Sequence, residues 1–363
     1  MKKFLALALA LVMVFALAAC GEPATEETTP ATEPAGEETT PAGEETTPAE
    51  GDTILVGFAQ VGHESDWRTA STQSAYDVFN ADNGYEMVFV DADQDVQKQI
   101  EALRNFIQQG VDYIILDPIQ ATGWDQVLTE CEEAGIPVII IDRTVDDSDK
   151  YISWVGSDFT TEGVAAGEWL KAYAEAKNIE ELNILVIEGS VGASATLGRT
   201  EGFKQVADRE GWNIIASQSG DFTEAGGQEV MESYCQSYAG QFNVVICQND
   251  NEAYGAITAM DNAGVTYGVD GDVILVSFDA AKTALGLVQE GKLNACFECN
   301  PLAAPFVDED VIQVMEAGGT PEKEIYMTET WFVAEDILES ITVNGEEMPL
   351  VQVTDEVLAG RAY

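Results

Sequence analysis

Histidine is nearly missing from this chain of 363 residues, where His63 stands alone. That removes multi-histidine zinc sites and forces any Ser-His-Asp or Cys-His pair to use this one ring. Basic residues are also few: 16 Lys and Arg face 65 Asp and Glu, a formal net charge of −49. A surface so acidic excludes nucleic acid as a partner and gains no attraction from anionic lipid. Cysteine is sparse, and five cysteines follow Cys20. An odd count in an exported chain reads as free, buried thiols. Cys296-Phe-Glu-Cys299 has the spacing of a redox pair or half a zinc site. It falls in a strand pattern, however, where residues three apart point to opposite faces. Asp91-Ala-Asp-Gln-Asp95 begins like a calcium loop but has Val96 at the sixth position and Ala102 at the twelfth. A helix entry capped by aspartate explains it better, so neither a metal nor a cofactor is expected.

What is present begins with an export signal. Met1-Lys-Lys3 precedes an apolar run from Phe4 to Ala18, shorter than the ~20 residues of a membrane span. It ends in Leu17-Ala-Ala-Cys20, which resembles the lipobox of bacterial lipoproteins. That resemblance implies a diacylglycerol on Cys20 and a place on the outer face of a cytoplasmic membrane, of Gram-positive type. A secretory signal with an incidental cysteine is the alternative. Residues 21–51 repeat Glu-Glu-Thr-Thr-Pro-Ala at 26–31, 37–42 and 44–49. With nothing larger than alanine or proline to bury, this stretch is expected to be a disordered acidic linker.

From Asp52 onward, apolar strands alternate with helical patterns. Tyr113-Ile-Ile-Leu116, Val138-Ile-Ile-Ile141 and Val273-Ile-Leu-Val276 are apolar without interruption, as in parallel sheets covered on both faces. Gly110, Gly135 and Gly264 sit at helix exits, where a left-handed cap favours glycine. The alternation predicts an α/β protein of two doubly wound parallel-sheet domains. Several predicted strands end in polar groups: Asp117, Asp142-Arg143, Glu188-Gly-Ser190, Gln248-Asn-Asp250 and Asp279. Such ends form the ligand crevice of an open α/β sheet. The first strand runs into Glu64, Asp66, Trp67 and Arg68 at a helix start. A ring with acids and an arginine beside it suits a sugar. The alternative is a buried helix residue with solvated charges.

On these residues the chain resembles the sugar-binding proteins of ABC transporters, of the ribose and galactose type I family, and among them the galactofuranose-binding kind. The segments that carry the resemblance are Val56 to Arg68, Ala121-Thr-Gly-Trp124, Ile136-Pro-Val138 with Asp142-Arg143, and Gly189 to Ser194 with Arg199. Ser217-Gln-Ser-Gly-Asp-Phe-Thr223, Glu229-Val-Met-Glu-Ser233 and Gln248-Asn-Asp250 complete them. The resemblance implies two lobes joined by a three-strand hinge near 144–157, 278–300 and 325–333. It divides the chain into 52–150 with about 300–328, and 151–299 with about 329–363. It implies that Glu64, Ser65, Asp66, Trp67, Arg68, Asp142 and Arg143 meet a sugar from the first lobe. Arg199, Asn249, Asp279 and Glu298 would meet it from the second. The implied partners are a small sugar and the membrane permease of an ABC importer, and a monomer is expected.

Two rivals keep part of this reading. One changes the ligand to a nucleoside, a cyclitol or a signal molecule, with Trp154 as a further aromatic. The other is a surface glycosidase using an acid pair such as Glu64 and Asp279. Arginines beside those acids favour their ionised forms, which is wrong for a general acid. No enzyme is expected.

Overall fold

The computed structural model describes residues 53–363. The export signal, Cys20 and the acidic linker lie outside the described residues. The first sheet contains β1 (Ile54–Gln60), β2 (Tyr85–Asp91), β3 (Tyr113–Leu116), β4 (Val138–Ile141) and β5 (Ser153–Gly156). The second begins with β6 (Asn183–Glu188), β7 (Asn213–Ser219), β8 (Val244–Cys247), β9 (Ile274–Asp279) and β10 (Ala295–Glu298). These strands are parallel, in the orders β2-β1-β3-β4-β5 and β7-β6-β8-β9-β10. Both are doubly wound orders with one switch point each. The helices of the first lobe are α1 (Asp66–Val78), α2 (Val96–Gln109) and α3 (Asp125–Ala134). Those of the second are α4 (Phe159–Lys177), α5 (Ser194–Glu210), α6 (Glu224–Ser237), α7 (Asp250–Ala263) and α8 (Lys282–Gln289).

The uninterrupted apolar strands feed two cores at once. Ile115, Ile139 and Ile141 join one apolar cluster, while Ile114, Leu116 and Ile140 join the cluster on the opposite face. Side chains alternate along a strand, so a sheet covered on both sides needs apolar residues at every position.

The chain passes between the lobes three times. It leaves the first sheet after β5 to enter α4. It returns after β10 into a helix over 304–316, whose middle turn Val307–Ile312 is a π-helix packed on the first lobe's core. It then adds β11 (Glu324–Tyr326) beside β5 and crosses to β12 (Trp331–Val333), antiparallel to β10. The first crossing corrects the boundary expected at 150: Ser153–Gly156 is hydrogen-bonded to β4, so the first lobe runs to Gly156. After Ser340, a segment assigned to the second lobe without any expected element, β13 (Ser340–Val343) and β14 (Glu346–Gln352) form a hairpin on the edge of the second sheet. Its turn is Asn344-Gly345, with φ of 52° and 89°, the left-handed pair that a two-residue hairpin needs.

Helices α4 and α5 touch backbone to backbone. A Cβ on Gly163 would lie 2.4 Å from the Arg199 carbonyl oxygen, and one on Gly202 2.1 Å from that of Thr160. This contact sets Arg199 of α5 against Glu162 of α4. Gly202→Val should therefore lower stability by about 1–3 kcal/mol or more, through overpacking. Chemical denaturation checks this, and unchanged stability would contradict the close approach.

The first turn of α7 buries Asp250 and Glu252 completely. Asp250 accepts hydrogen bonds from Ser277 Oγ (2.6 Å) and the Ala281 amide (2.8 Å), and Glu252 from the Phe222 amide (3.0 Å). Burial pushes both carboxyls up to about 8, and nearby Asp279 adds to the rise at Asp250. Unfolded carboxyls titrate near ~4, so between there and about 8 the folded chain holds more protons than the unfolded one. Stability from this source is present at low pH and is lost as pH rises through about 8. The melting temperature should be higher at about pH 5.5 than at about pH 8; a fall toward acid would contradict the burial of these groups.

Candidate functional site

The carboxyl ends of strands from both sheets converge on one cavity of about 290 Å³. Glu64, Ser65, Trp67, Arg68, Asp142 and Arg143 line it from the first lobe. Ala195, Arg199, Phe222, Asn249, Asp279 and Cys299 line it from the second.

In the first lobe, Ser65 is extended and accepts a hydrogen bond from the Arg68 amide at 3.1 Å, capping α1. The cap starts the helix so that Trp67 and Arg68 fall on its buried face. Arg68 Nε donates to Glu64 Oε1 at 3.1 Å, and Nη1 reaches Asp142 Oδ2 at 3.1 Å and Asp117. The guanidinium lies 4.6 Å from the Trp67 ring centroid. Arg143 is buried beside it and donates to the Ile119 carbonyl at 2.8 Å, its one side-chain hydrogen bond among the described residues. Its guanidinium sits 5.5 Å from the ring of Phe222 in the opposite lobe.

In the second lobe, Arg199 plays the matching part. Its Nε donates to Glu162 Oε2 at 2.6 Å, Nη2 to Asp279 Oδ1 at 3.2 Å and Nη1 to the Gln248 carbonyl. Asn249 caps α7 through the Glu252 amide (2.8 Å) and donates to the Phe222 carbonyl (3.0 Å). Asp142, Phe222 and Asp279 have left-handed backbones, with φ of 57°, 59° and 97°. Side-chain-bearing residues pay roughly 1–3 kcal/mol each for such conformations, which gather at ligand sites.

The lobes are closed over the cavity. The Trp67 indole N–H donates to the Cys299 carbonyl at 2.7 Å, and the Asp66 amide to Asn251 Oδ1 at 3.1 Å. The Thr144 amide donates to Ser194 Oγ at 2.8 Å, and the Ala121 amide to the Gly192 carbonyl at 3.0 Å. The Gly189–Ser194 turn thus serves to clasp the first lobe.

Charge in the cavity is arranged for hydroxyls. Burial opposes ionisation of Glu64, but Arg68 and Arg143 outweigh it and hold its pKa below the usual carboxylate range. Its Oε2 is buried with no hydrogen-bond partner among the described residues, a lone acceptor that a ligand hydroxyl can satisfy. Burial, reinforced by Arg68, lowers the pKa of Arg143. Burial pushes Asp279 up to about 6 and Glu162 up to about 8 against the pull of Arg199. The lowered pKa of Glu64 makes it a poor general acid. Glu162, Cys299 and Glu329 bring potential metal-ligand atoms within 4.8 Å of one another. The Arg199 guanidinium beside Glu162 and the raised pKa of that carboxyl both work against a cation there.

Nine of the eleven residues expected in the site line the cavity: Glu64, Ser65, Trp67, Arg68, Asp142, Arg143, Arg199, Asn249 and Asp279. Two do not. Asp66 is exposed at the first position of α1 and contributes only its amide. Glu298 is turned away and held by Arg361 and the Thr330 amide. Trp154 is buried against Tyr326 and donates to the Asp142 carbonyl at 3.1 Å, outside the cavity. Residues that sequence reasoning missed are Ala195, Phe222 and Cys299 in the lining, with Glu162 behind it; Asp117, expected at a strand end, also stands behind it, against Arg68. Phe222 carried a signal, an aromatic in the glycine-bearing run that follows β7. Glu162 carried none, being one acid among many on a helix.

Comparison with known proteins agrees with this geometry. The family model described as periplasmic binding protein domain matches residues 56–302. The galactofuranose-binding protein YtfQ of Escherichia coli is 36% identical over 76% of this chain and 86% of its own length. A Mycobacterium smegmatis protein solved in complex with beta-D-fucofuranose is 40% identical, with a TM-score of 0.73 over 77% of this chain and 91% of that one. The binding component of the arabinose ABC transporter of Shewanella, solved with alpha- and beta-L-arabinofuranose, is 36% identical, with a TM-score of 0.72 over 77% and 92%. These relatives are binding components, not enzymes. The chain belongs to the periplasmic binding protein family, among the sugar-binding proteins of ABC transporters.

Proposed function

We propose that this protein captures a monosaccharide in its five-membered ring form and presents it to an ABC importer from a lipid anchor at Cys20. The observation that carries the ligand class is the convergence of Arg68, Arg143 and Arg199 with Glu64, Asp142 and Asp279 in a cavity of about 290 Å³. Guanidinium donors and carboxylate acceptors can satisfy each hydroxyl of a small polyol in a buried site. Trp67 and Phe222 supply apolar surface for the ring. The furanose preference rests on the sugars held by the two solved relatives. Two lobes meeting at the ligand supply a closed form that a permease can distinguish from an open one. The anchor rests on the Leu17-Ala-Ala-Cys20 sequence alone. The repeat after it would act as a spacer, with the protein working as a monomer.

Titration calorimetry with D-galactose, L-arabinose, D-fucose, D-ribose, D-glucose and myo-inositol tests the reading. Binding of one of the first three, with the furanose ring seen in a crystal of the complex, is expected. Binding of none of the panel would remove it, and binding of myo-inositol alone would move it to a cyclitol.

Arg143 offers the sharpest single substitution, because it has donors that no group among the described residues uses. Arg143→Ala should weaken sugar binding by about 100-fold or more, as when a charged hydrogen-bonding group is removed from a buried polar site. The melting temperature of the ligand-free protein should stay near that of the wild type. Unchanged affinity would contradict the site.

A further inference from the structure

The closing stretch of the chain, residues 353–363, runs back across the second lobe to the far side of the cavity wall. The short helix Asp355–Gly360 sits beside α8, where Gln289 donates to Asp355 at 2.8 Å. Beyond it, Arg361 turns inward. Its Nε donates to the Ala280 carbonyl at 2.8 Å, and Nη2 lies 3.5 Å from the Asp279 carbonyl. Its Nη1 is paired with Glu298 Oε1 at 2.5 Å, and the Tyr363 hydroxyl donates to the same oxygen at 2.7 Å. The Tyr363 carbonyl accepts from the Lys282 amide at 2.7 Å.

Asp279 and Ala280 are consecutive residues with positive φ, 97° and 58°. A side-chain-bearing pair in this conformation persists only where its surroundings over-determine it. Arg361 supplies that restraint with a planar fork laid on both carbonyls, which a lysine cannot reproduce. Glu298, on the strand next to β9, holds the fork in place. On the cavity side of the same turn, the Asp279 carboxylate meets Arg199 and lines the site.

We propose that Arg361, steadied by Tyr363 and Glu298, is a positioning residue that fixes the Asp279 carboxylate for the ligand without touching the ligand itself. The inference rests on the sugar-binding reading above. It also explains why Glu298 stands at a strand end yet outside the cavity: it belongs to the brace behind the wall.

The test is a double-mutant cycle on the full chain, read by calorimetric titration with D-galactose and L-arabinose. Arg361→Ala should raise the Kd about tenfold or more, Arg361→Lys should recover part of the loss, and Tyr363→Phe should give a smaller rise. Asp279→Asn combined with Arg361→Ala should cost clearly less than the product of the two single effects, because both act through one side chain. Melting of the ligand-free variants is measured alongside; should Arg361→Ala fail to fold, Tyr363→Phe takes its place in the cycle. Unchanged affinity in the variants while the wild type binds, or strictly multiplicative effects in the cycle, would overturn the brace. A wild-type protein that binds neither sugar would instead refute the functional reading, and the brace would fall with it.

Discussion

Arg68 is the group on which the first half of the site depends. One guanidinium, buried at the start of α1, gathers Glu64, Asp117 and Asp142 from three separate strand ends. Without it those carboxylates would repel one another in a medium that penalises their charge. Burial raises the pKa of Asp117 well above its usual range even with Arg68 present. Pairs of this kind contribute little net stability, since desolvation consumes most of their attraction. Their effect is to fix direction: the oxygens of Glu64 and Asp142 not taken by Arg68 are held at defined places on the cavity wall.

Arg199 repeats the arrangement in the second lobe, between Glu162 and Asp279. The two lobes therefore offer the same device from opposite sides, and each depends on backbone packing behind it. For Arg68 that packing is the capped start of α1. For Arg199 it is the glycine contact between α4 and α5, which no larger residue permits. The hydrogen bonds described between the lobes come mostly from backbone amides, beside one small apolar cluster around Trp67 and Phe222. A closed form held by so little can be opened by hinge rotation.

The sheets were legible because burial on both faces leaves a strand no polar positions. Val138-Ile-Ile-Ile141 could be nothing else. β13 and β14 were not legible, and β11 and β12 only as the hinge segment that the resemblance implied near 325–333, because they are short or half-exposed and take their places from neighbours far along the chain. The site was legible to the extent that strand ends predict crevices. That rule succeeded for Asp142 and Asp279, while Arg199, inside a helix, was implied only by the family resemblance. The resemblance overreached for Glu298, whose partner Arg361 stands 63 residues later. The strand-end rule had its own limit. It passed over Phe222 because a left-handed turn, not a strand, aims that ring. Asp66 failed for a local reason: one position along a helix start is enough to turn a side chain from the cavity to water.

The left-handed backbones of Asp142 and Asp279 also narrow the paths by which such a receptor can diverge. Besides glycine, asparagine and aspartate are the residues that accept this conformation most readily. Exchanging one for the other trades a carboxylate acceptor for an amide that can donate, at the same place and with the same shape. Lineages that change their cargo are thus channelled, at these two positions, along a single chemical axis, while bulkier alternatives are barred by the main chain rather than by the ligand.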